Sequence, residues 1–270
     1  MKDVEKTLRK LGIKPVSGQN FLNSETVIKA LVQSGEVEDE NVLEIGAGTG
    51  AITEELKAEA EKVYALEKDR KLVKHLEERF KAFNVEVIEE DFFSYSIPEE
   101  VSRCVSNLPF HSATEIMERL GKKQIQSSVI VQDELADKIL AEPGENKYTE
   151  TSIRIKYFFL PVKLQKVSSR NYTPQPDVDT AILKLYPNKD RHPVEDEEAF
   201  FKLVKALFTN KRKKTRNAFV DSRHITGVSK EKARELRDNL PFSEERPVNL
   251  EIRELWKITD FVLEQSEGLK

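Results

Sequence analysis

The chain has 270 residues, with 44 Lys and Arg against 48 Asp and Glu, a length that makes one to two domains and excludes small stapled scaffolds. A single cysteine, Cys104, leaves no intramolecular disulfide and no multi-cysteine zinc site. His75, His111, His192 and His224 are too scattered for metal-ligand spacing, so no metal is expected. No apolar run reaches the roughly 18 residues of a membrane span and the N-terminus has no signal-peptide core, so the chain is expected to be cytoplasmic with no membrane partner.

From Asn41 to Gln132, short apolar runs alternate with helical patterns. Val42 to Ile45, Val63 to Leu66, Val85 to Ile88, Cys104 to Val105 and Val129 to Val131 predict the buried strands of a parallel sheet. Between them, Leu72, Val73, Leu76 and Phe80 share one helical face, as do Ala113, Ile116, Met117 and Leu120. Ser112 with Glu115 three residues on has the form of a capping box opening the second of these helices. The alternating order predicts an α/β, doubly wound, Rossmann-like domain. Pro143 and Gly144 interrupt it, after which Ser152 to Leu160 and Thr180 to Tyr186 predict two more strands, with Pro174, Pro176 and Asp177 stiffening the connection. Beyond Pro187 the signals are helical: Phe200, Leu203, Val204, Leu207 and Phe208 form one stripe. The expected division is therefore 1–187 and 188–270.

The net charge of −4 is unevenly spread. Residues 202–237 hold 12 Lys or Arg against 3 Asp or Glu, a local +9 that leaves −13 elsewhere. Lys211, Arg212, Lys213, Lys214 and Arg216 form its densest part, placed at the end of the Phe200 helix. They fit an RNA backbone, or else a solvated helix end whose cations complement the dipole.

Chemistry gathers at the strand ends. The first strand runs into Glu44-Ile-Gly46-Ala-Gly48-Thr-Gly50, a glycine turn that lets a ligand approach the backbone at a helix N-terminus. The dinucleotide register would need Gly at Ala51, and no Gly-Lys-Ser/Thr follows, which disfavours hydride transfer and nucleoside triphosphates. Glu67 ends the second strand, where a carboxylate can accept ribose hydroxyl protons. Asp91 at the end of the third can read an adenine amino group, with Phe92 packing on the base. Taken singly, each is equally consistent with a solvated strand end. Asn107-Leu108-Pro109-Phe110 closes the fourth strand. There an amide oxygen and a proline-stiffened carbonyl can accept from an exocyclic amine while an aromatic ring stacks on the base. Quartet and glycine turn together resemble the amino-methyltransferases that use S-adenosylmethionine.

Four further stretches narrow the likeness. Gly18-Gln-Asn-Phe-Leu22, Val131-Gln-Asp-Glu-Leu-Ala136, Tyr172-Thr-Pro-Gln-Pro-Asp-Val178 and the basic run Phe208 to Asn217 resemble motifs of the small-subunit (16S-type) ribosomal RNA adenine N6,N6-dimethyltransferases. Ala141-Glu-Pro-Gly-Glu-Asn-Lys-Tyr148 resembles their archaeal members. The resemblance implies S-adenosylmethionine held by Gln19, Asn20, Leu22, Gly46, Gly48, Glu67, Asp91, Phe92 and Asn107. It places the target adenine at Asn107, Leu108 and Pro109, sandwiched between Phe110 and Tyr172. The family more often has Tyr at the first of these aromatic positions and Phe at the second, and either ring can stack. Asp133 and Lys138 stand where Lys and Arg are more usual. The implied substrate is small-subunit rRNA within a pre-small ribosomal subunit, methylated at two adjacent adenines near its 3′ end by a monomeric enzyme active in ribosome biogenesis. The alternatives are a large-subunit rRNA adenine methyltransferase and an assembly factor that acts mainly without catalysis.

Overall fold

A computed structural model describes residues 2–15, 19–191 and 196–265; Gly18 and His192 lie outside them. The elements are α1 (Lys2–Leu11), β1 (Phe21–Leu22), α2 (Glu25–Gly35), β2 (Asn41–Ile45), α3 (Ala51–Glu59), β3 (Lys62–Glu67), α4 (Arg70–Phe80), β4 (Val85–Glu89), β5 (Arg103–Asn107), α5 (Ala113–Lys122) and β6 (Gln126–Gln132). They continue with α6 (Asp133–Leu140), α7 (Glu150–Phe158), β7 (Phe159–Val167), β8 (Tyr172–Thr173), β9 (Thr180–Pro187), α8 (Glu197–Thr209), α9 (Thr215–Asp221), α10 (Arg223–Thr226), α11 (Lys230–Leu236) and α12 (Ile252–Gln265).

Among the described residues, seven strands form one sheet in the order β4-β3-β2-β5-β6-β9-β7. The first five are parallel; β9 runs antiparallel to both β6 and β7. Each predicted strand from Val42 to Val131 lies in a parallel strand; the central ones are apolar where both faces are covered, while the edge strand β4 keeps Glu86 exposed. Helix α4 buries Leu72, Val73, Leu76 and Phe80 as its periodicity requires, and its start is fixed by Asp69, whose carboxylate accepts from Lys71 N at 2.8 Å and Leu72 N at 3.2 Å. Helix α5 starts where expected, but no capping box forms: Ser112 makes no side-chain cap bond, and its own amide donates to Pro109 O at 3.2 Å.

The stretch 152–160 corrects one expectation. Residues 150–158 are helical, and the strand begins only at Phe159. Burial of Ile153, Ile155 and Tyr157 at alternate positions mimics a strand. The helix is supported instead by the Thr149 amide donating to Ser152 Oγ at 2.9 Å and by an i,i+4 pair between Arg154 and Glu150 at 2.9 Å.

The chain divides into two compact units, 1–136 with 158–188 and 137–157 with 189–270. The second unit thus differs from the expected 188–270 by including the α6–α7 region. Within it, α8 buries Phe200, Leu203, Val204 and Leu207 behind an Asp196 cap, and Tyr148 packs edge-on against Phe208 with centroids 5.6 Å apart.

Candidate active site

Strand order reverses between β2 and β5, both hydrogen-bonding neighbours in the centre of the sheet. In open α/β sheets the crevice beyond the carboxyl ends of the strands at such a point is where ligands bind. Here it is a cleft of about 250 Å³. Twelve of the residues anticipated from sequence line it: Gln19, Asn20, Leu22, Gly46, Gly48, Glu67, Asp91, Phe92, Asn107, Leu108, Pro109 and Phe110. Sequence separations of up to 91 residues collapse because β2 to β5 all point their ends to one side.

The glycine turn forms the floor. Gly46 sits at φ 74°, and a Cβ built there would meet nothing within 4 Å, so a side chain would project into space a ligand can use. Gly50 at φ 79° serves packing instead, since its Cβ would fall 2.8 Å from Leu76 and Phe80. Glu67 holds the turn: Oε2 accepts from Gly48 N at 2.8 Å, while Oε1 accepts from Lys68 N and Asp69 N at 2.8 and 2.9 Å. Asp91 lies two residues past β4. Its Oδ1 accepts from Phe93 N at 2.9 Å, and its Oδ2 is 3.7 Å from Lys68 Nζ. Phe92 is buried under the Arg119 guanidinium, 4.8 Å from its ring, and Arg119 also donates to the carbonyls of Phe92 and Tyr95.

The roof comes from the N-terminal segment. β1 pairs antiparallel with β8, Leu22 opposite Tyr172, and Asn23 Nδ2 donates to Thr173 Oγ1 at 2.7 Å. Asn107 joins roof to floor: its Nδ2 donates to Asn20 O at 3.1 Å. Its Oδ1 is buried and has no hydrogen-bond donor. A buried acceptor without a donor costs about 1–3 kcal/mol, so this atom is set to receive a ligand N–H.

Tyr172 corrects the expected sandwich. Its side chain is not on the cleft wall but packs in the core with Leu22, Ile130 and Ile182, and its hydroxyl is shared with Thr180 Oγ1 at 2.8 Å. Phe110 alone of the two rings lines the cleft. The basic run is also different from its expected form. α8 ends at Thr209, so Lys211 to Lys214 lie in the following turn and Arg216 in α9. Lys211 donates to the carbonyls of Asn146 and Tyr148 at 2.8 and 2.6 Å, Lys213 pairs with Asp221 at 2.7 Å, and Glu244 takes both Lys214 and Arg216. Only Arg212 of the five is exposed without an ion pair among the described residues. These cations lock the turn of the second unit together.

Sequence reading passed over Phe93, Lys68 and the burial of Glu44. Glu44 is 1% exposed and accepts from Thr53 Oγ1 at 2.6 Å. Burial, with the Glu67 charge adding to it, pushes its carboxyl up to about 8. A folded-state value above the unfolded one means that Glu44 contributes stability fully present near pH 4 and lost as pH rises from about 4.5 through about 8. Glu44→Gln keeps an acceptor for Thr53 and removes the titration, so its melting temperature is expected to fall less between pH 5 and 8.5 than that of the wild type. Parallel melting curves across that range would refute the assignment.

A switch-point cleft floored by a glycine turn that is neither a dinucleotide fingerprint nor a phosphate loop, with an unpaired amide acceptor beside it, is the Rossmann-like site that the sequence resemblance to the amino-methyltransferases implies. Comparison with known proteins agrees with this and goes further. The ribosomal RNA adenine dimethylase family model matches residues 12–247. The chain belongs to that family. Two relatives carry the name probable ribosomal RNA small subunit methyltransferase A: one from Thermococcus sibiricus, 33% identical over 96% of both chains, and one from Methanopyrus kandleri, 33% identical over 89% of this chain and 90% of the other. Among solved structures, a dimethyladenosine transferase from Plasmodium falciparum superposes with a TM-score of 0.80 at 22% identity, covering 93% of this chain and all of the other. The 23S rRNA methyltransferase ErmE does so at 0.63 and 23% identity, covering 89% and 99%. At those identities the two structures speak for the fold.

Proposed function

We propose that the chain dimethylates N6 of two adjacent adenines near the 3′ end of small-subunit rRNA, using S-adenosylmethionine, and that it acts on a partly assembled small subunit as a cytoplasmic monomer. The buried Asn107 Oδ1 without a donor carries this reading, because it is the acceptor an exocyclic adenine amine needs. Open space over Gly46 and the Glu67 carboxylate fit the cofactor's adenosine half. S-adenosylmethionine supplies, when bound, a sulfonium methyl as the electrophile.

The chain's own tasks are orientation and charge. Asn107 Oδ1 and the Leu108 carbonyl accept the two amine hydrogens, turning the nitrogen lone pair towards the methyl donor and stabilising the positive charge that develops on the amine. Phe110 stacks on the extruded base. Glu67 retains about one acceptor site, on Oε2, for a ribose hydroxyl beyond those used on the backbone. Asp91 reads the cofactor's adenine amino group. Asp91→Ala is therefore expected to weaken S-adenosylmethionine about 10- to 150-fold, the equivalent of a charged hydrogen bond of about 1.5–3 kcal/mol. Equal affinities by calorimetry would take Asp91 out of the site.

The function itself is tested by mass spectrometry of nucleosides from small subunits lacking the modification, incubated with protein and cofactor. N6,N6-dimethyladenosine at two adjacent positions is expected. Equal methylation of large-subunit rRNA would overturn the target, and no dimethyladenosine would overturn the activity.

A further inference from the structure

We infer that Lys14, Lys68, Arg70 and Lys71 form a track for the phosphates of the RNA strand that delivers its base to the cleft; this rests on the RNA methyltransferase reading. The four cations line a shallow concavity of about 440 Å³ between the end of the α1 segment and the start of α4. Lys68 lines both this concavity and the cleft, so the two adjoin at that side chain.

The segment that carries Lys14 is held in place. Val4 and Leu8 of α1 pack with Phe21 and Leu72, Leu11 and Ile13 join them, and the Ile13 amide donates to Leu8 O at 2.9 Å. Lys71 Nζ adds a bond to Gly12 O at 3.3 Å. A backbone already fixed there leaves only side-chain freedom to be lost when an anion arrives.

The charge of the concavity is also only partly compensated. Asp69 is the one acid on its wall, and its Oδ1 is taken up by the first amides of α4. Lys14 and Arg70 are exposed and have no ion pair among the described residues, and Lys68 meets Asp91 only at 3.7 Å. The denser run at 211–216 offers the opposite: its charges are mostly matched by Glu244, Asp221 and backbone carbonyls. A polyanion gains most where cations are not already neutralised, since binding then releases its own counterions without breaking protein ion pairs.

The test uses the full chain carrying Lys14→Ala and Arg70→Ala together, and separately Lys213→Ala with Lys214→Ala. Binding of a labelled small-subunit rRNA fragment spanning the 3′ end is measured from 50 to 300 mM salt. The first variant is expected to bind at least about 10-fold more weakly at low salt. Its slope of log affinity against log salt should flatten by about 1.4 to 1.8, two contacts at about 0.7–0.9 each. S-adenosylmethionine affinity and melting temperature should match the wild type. The second pair should change the slope less. An unchanged slope in the first variant, with the wild type still methylating rRNA, overturns the track and leaves the function standing. A wild type that neither binds the fragment nor methylates small subunits lacking the modification overturns both.

Discussion

Asn107→Ala is expected to lower kcat about 10²- to 10³-fold while cofactor affinity stays within a few-fold, the size seen when one preorganised charge-stabilising group is removed from an active site. The reasoning starts from an imbalance in the free protein. Asn107 Nδ2 is used on Asn20 O, but Oδ1 is buried with nothing to accept from. That unmet acceptor interacts most strongly when the attacking nitrogen becomes positive, so its benefit falls on the transition state more than on the ground state. Asn107→Asp separates the two halves of the side chain. It keeps an acceptor towards the amine but sets a carboxylate oxygen against the Asn20 carbonyl, which should disturb the roof segment. The expected pattern is a raised KM for cofactor with kcat recovered relative to alanine. Single-turnover methylation of rRNA alongside calorimetry reads both. Near-normal turnover in the alanine variant would refute the assignment of Asn107 to the amine.

What could be read from sequence follows the physics of each element. Central parallel strands covered on both faces are largely apolar, so β2, β3, β5 and β6 stand out as short runs, and the functional residues just beyond the strands follow from the rule that ligands sit at strand ends. Helix α7 was hidden because Ile153, Ile155 and Tyr157 alternate, and what makes it helical is an Arg154 pair and a Ser152 bond that period alone does not reveal. The family resemblance, not the residues around it, put Tyr172 in the sandwich. Its pairing opposite Leu22 spans 150 residues, and its bond to Thr180, eight residues on, crosses the proline-containing connection. The partners of the basic run are distant as well: Glu244, which takes two of its cations, lies about 30 residues downstream. Conversely, the concavity joins the short run Lys68-Asp69-Arg70-Lys71 to Lys14, and the two meet only through the packing of α1 on α4.

Glu67 is expected to be the residue whose loss damages both cofactor binding and the fold around it. Its two oxygens accept three backbone amides, from Gly48, Lys68 and Asp69. Hydrogen bonds to a charged acceptor are worth about 1.5–3 kcal/mol each, and because these three share one group they will not add in full. Glu67→Ala should therefore cost about 2–4 kcal/mol, a fall in melting temperature of roughly 4–16 °C. S-adenosylmethionine binding should weaken more than in Asp91→Ala, since the glycine turn loses its anchor along with the ribose acceptor. The informative variant is Glu67→Gln, normally a mild change. Both carboxylate oxygens face N–H donors, so whichever end of the amide points at Gly48 or at Lys68 and Asp69, an NH₂ group meets a donor. Glutamine should consequently fail to restore either stability or cofactor affinity, whereas a carboxylate needed only for ribose would tolerate it with a modest loss of binding. A glutamine variant that melts with the wild type and binds S-adenosylmethionine normally would show that the Glu67 charge does not hold the turn.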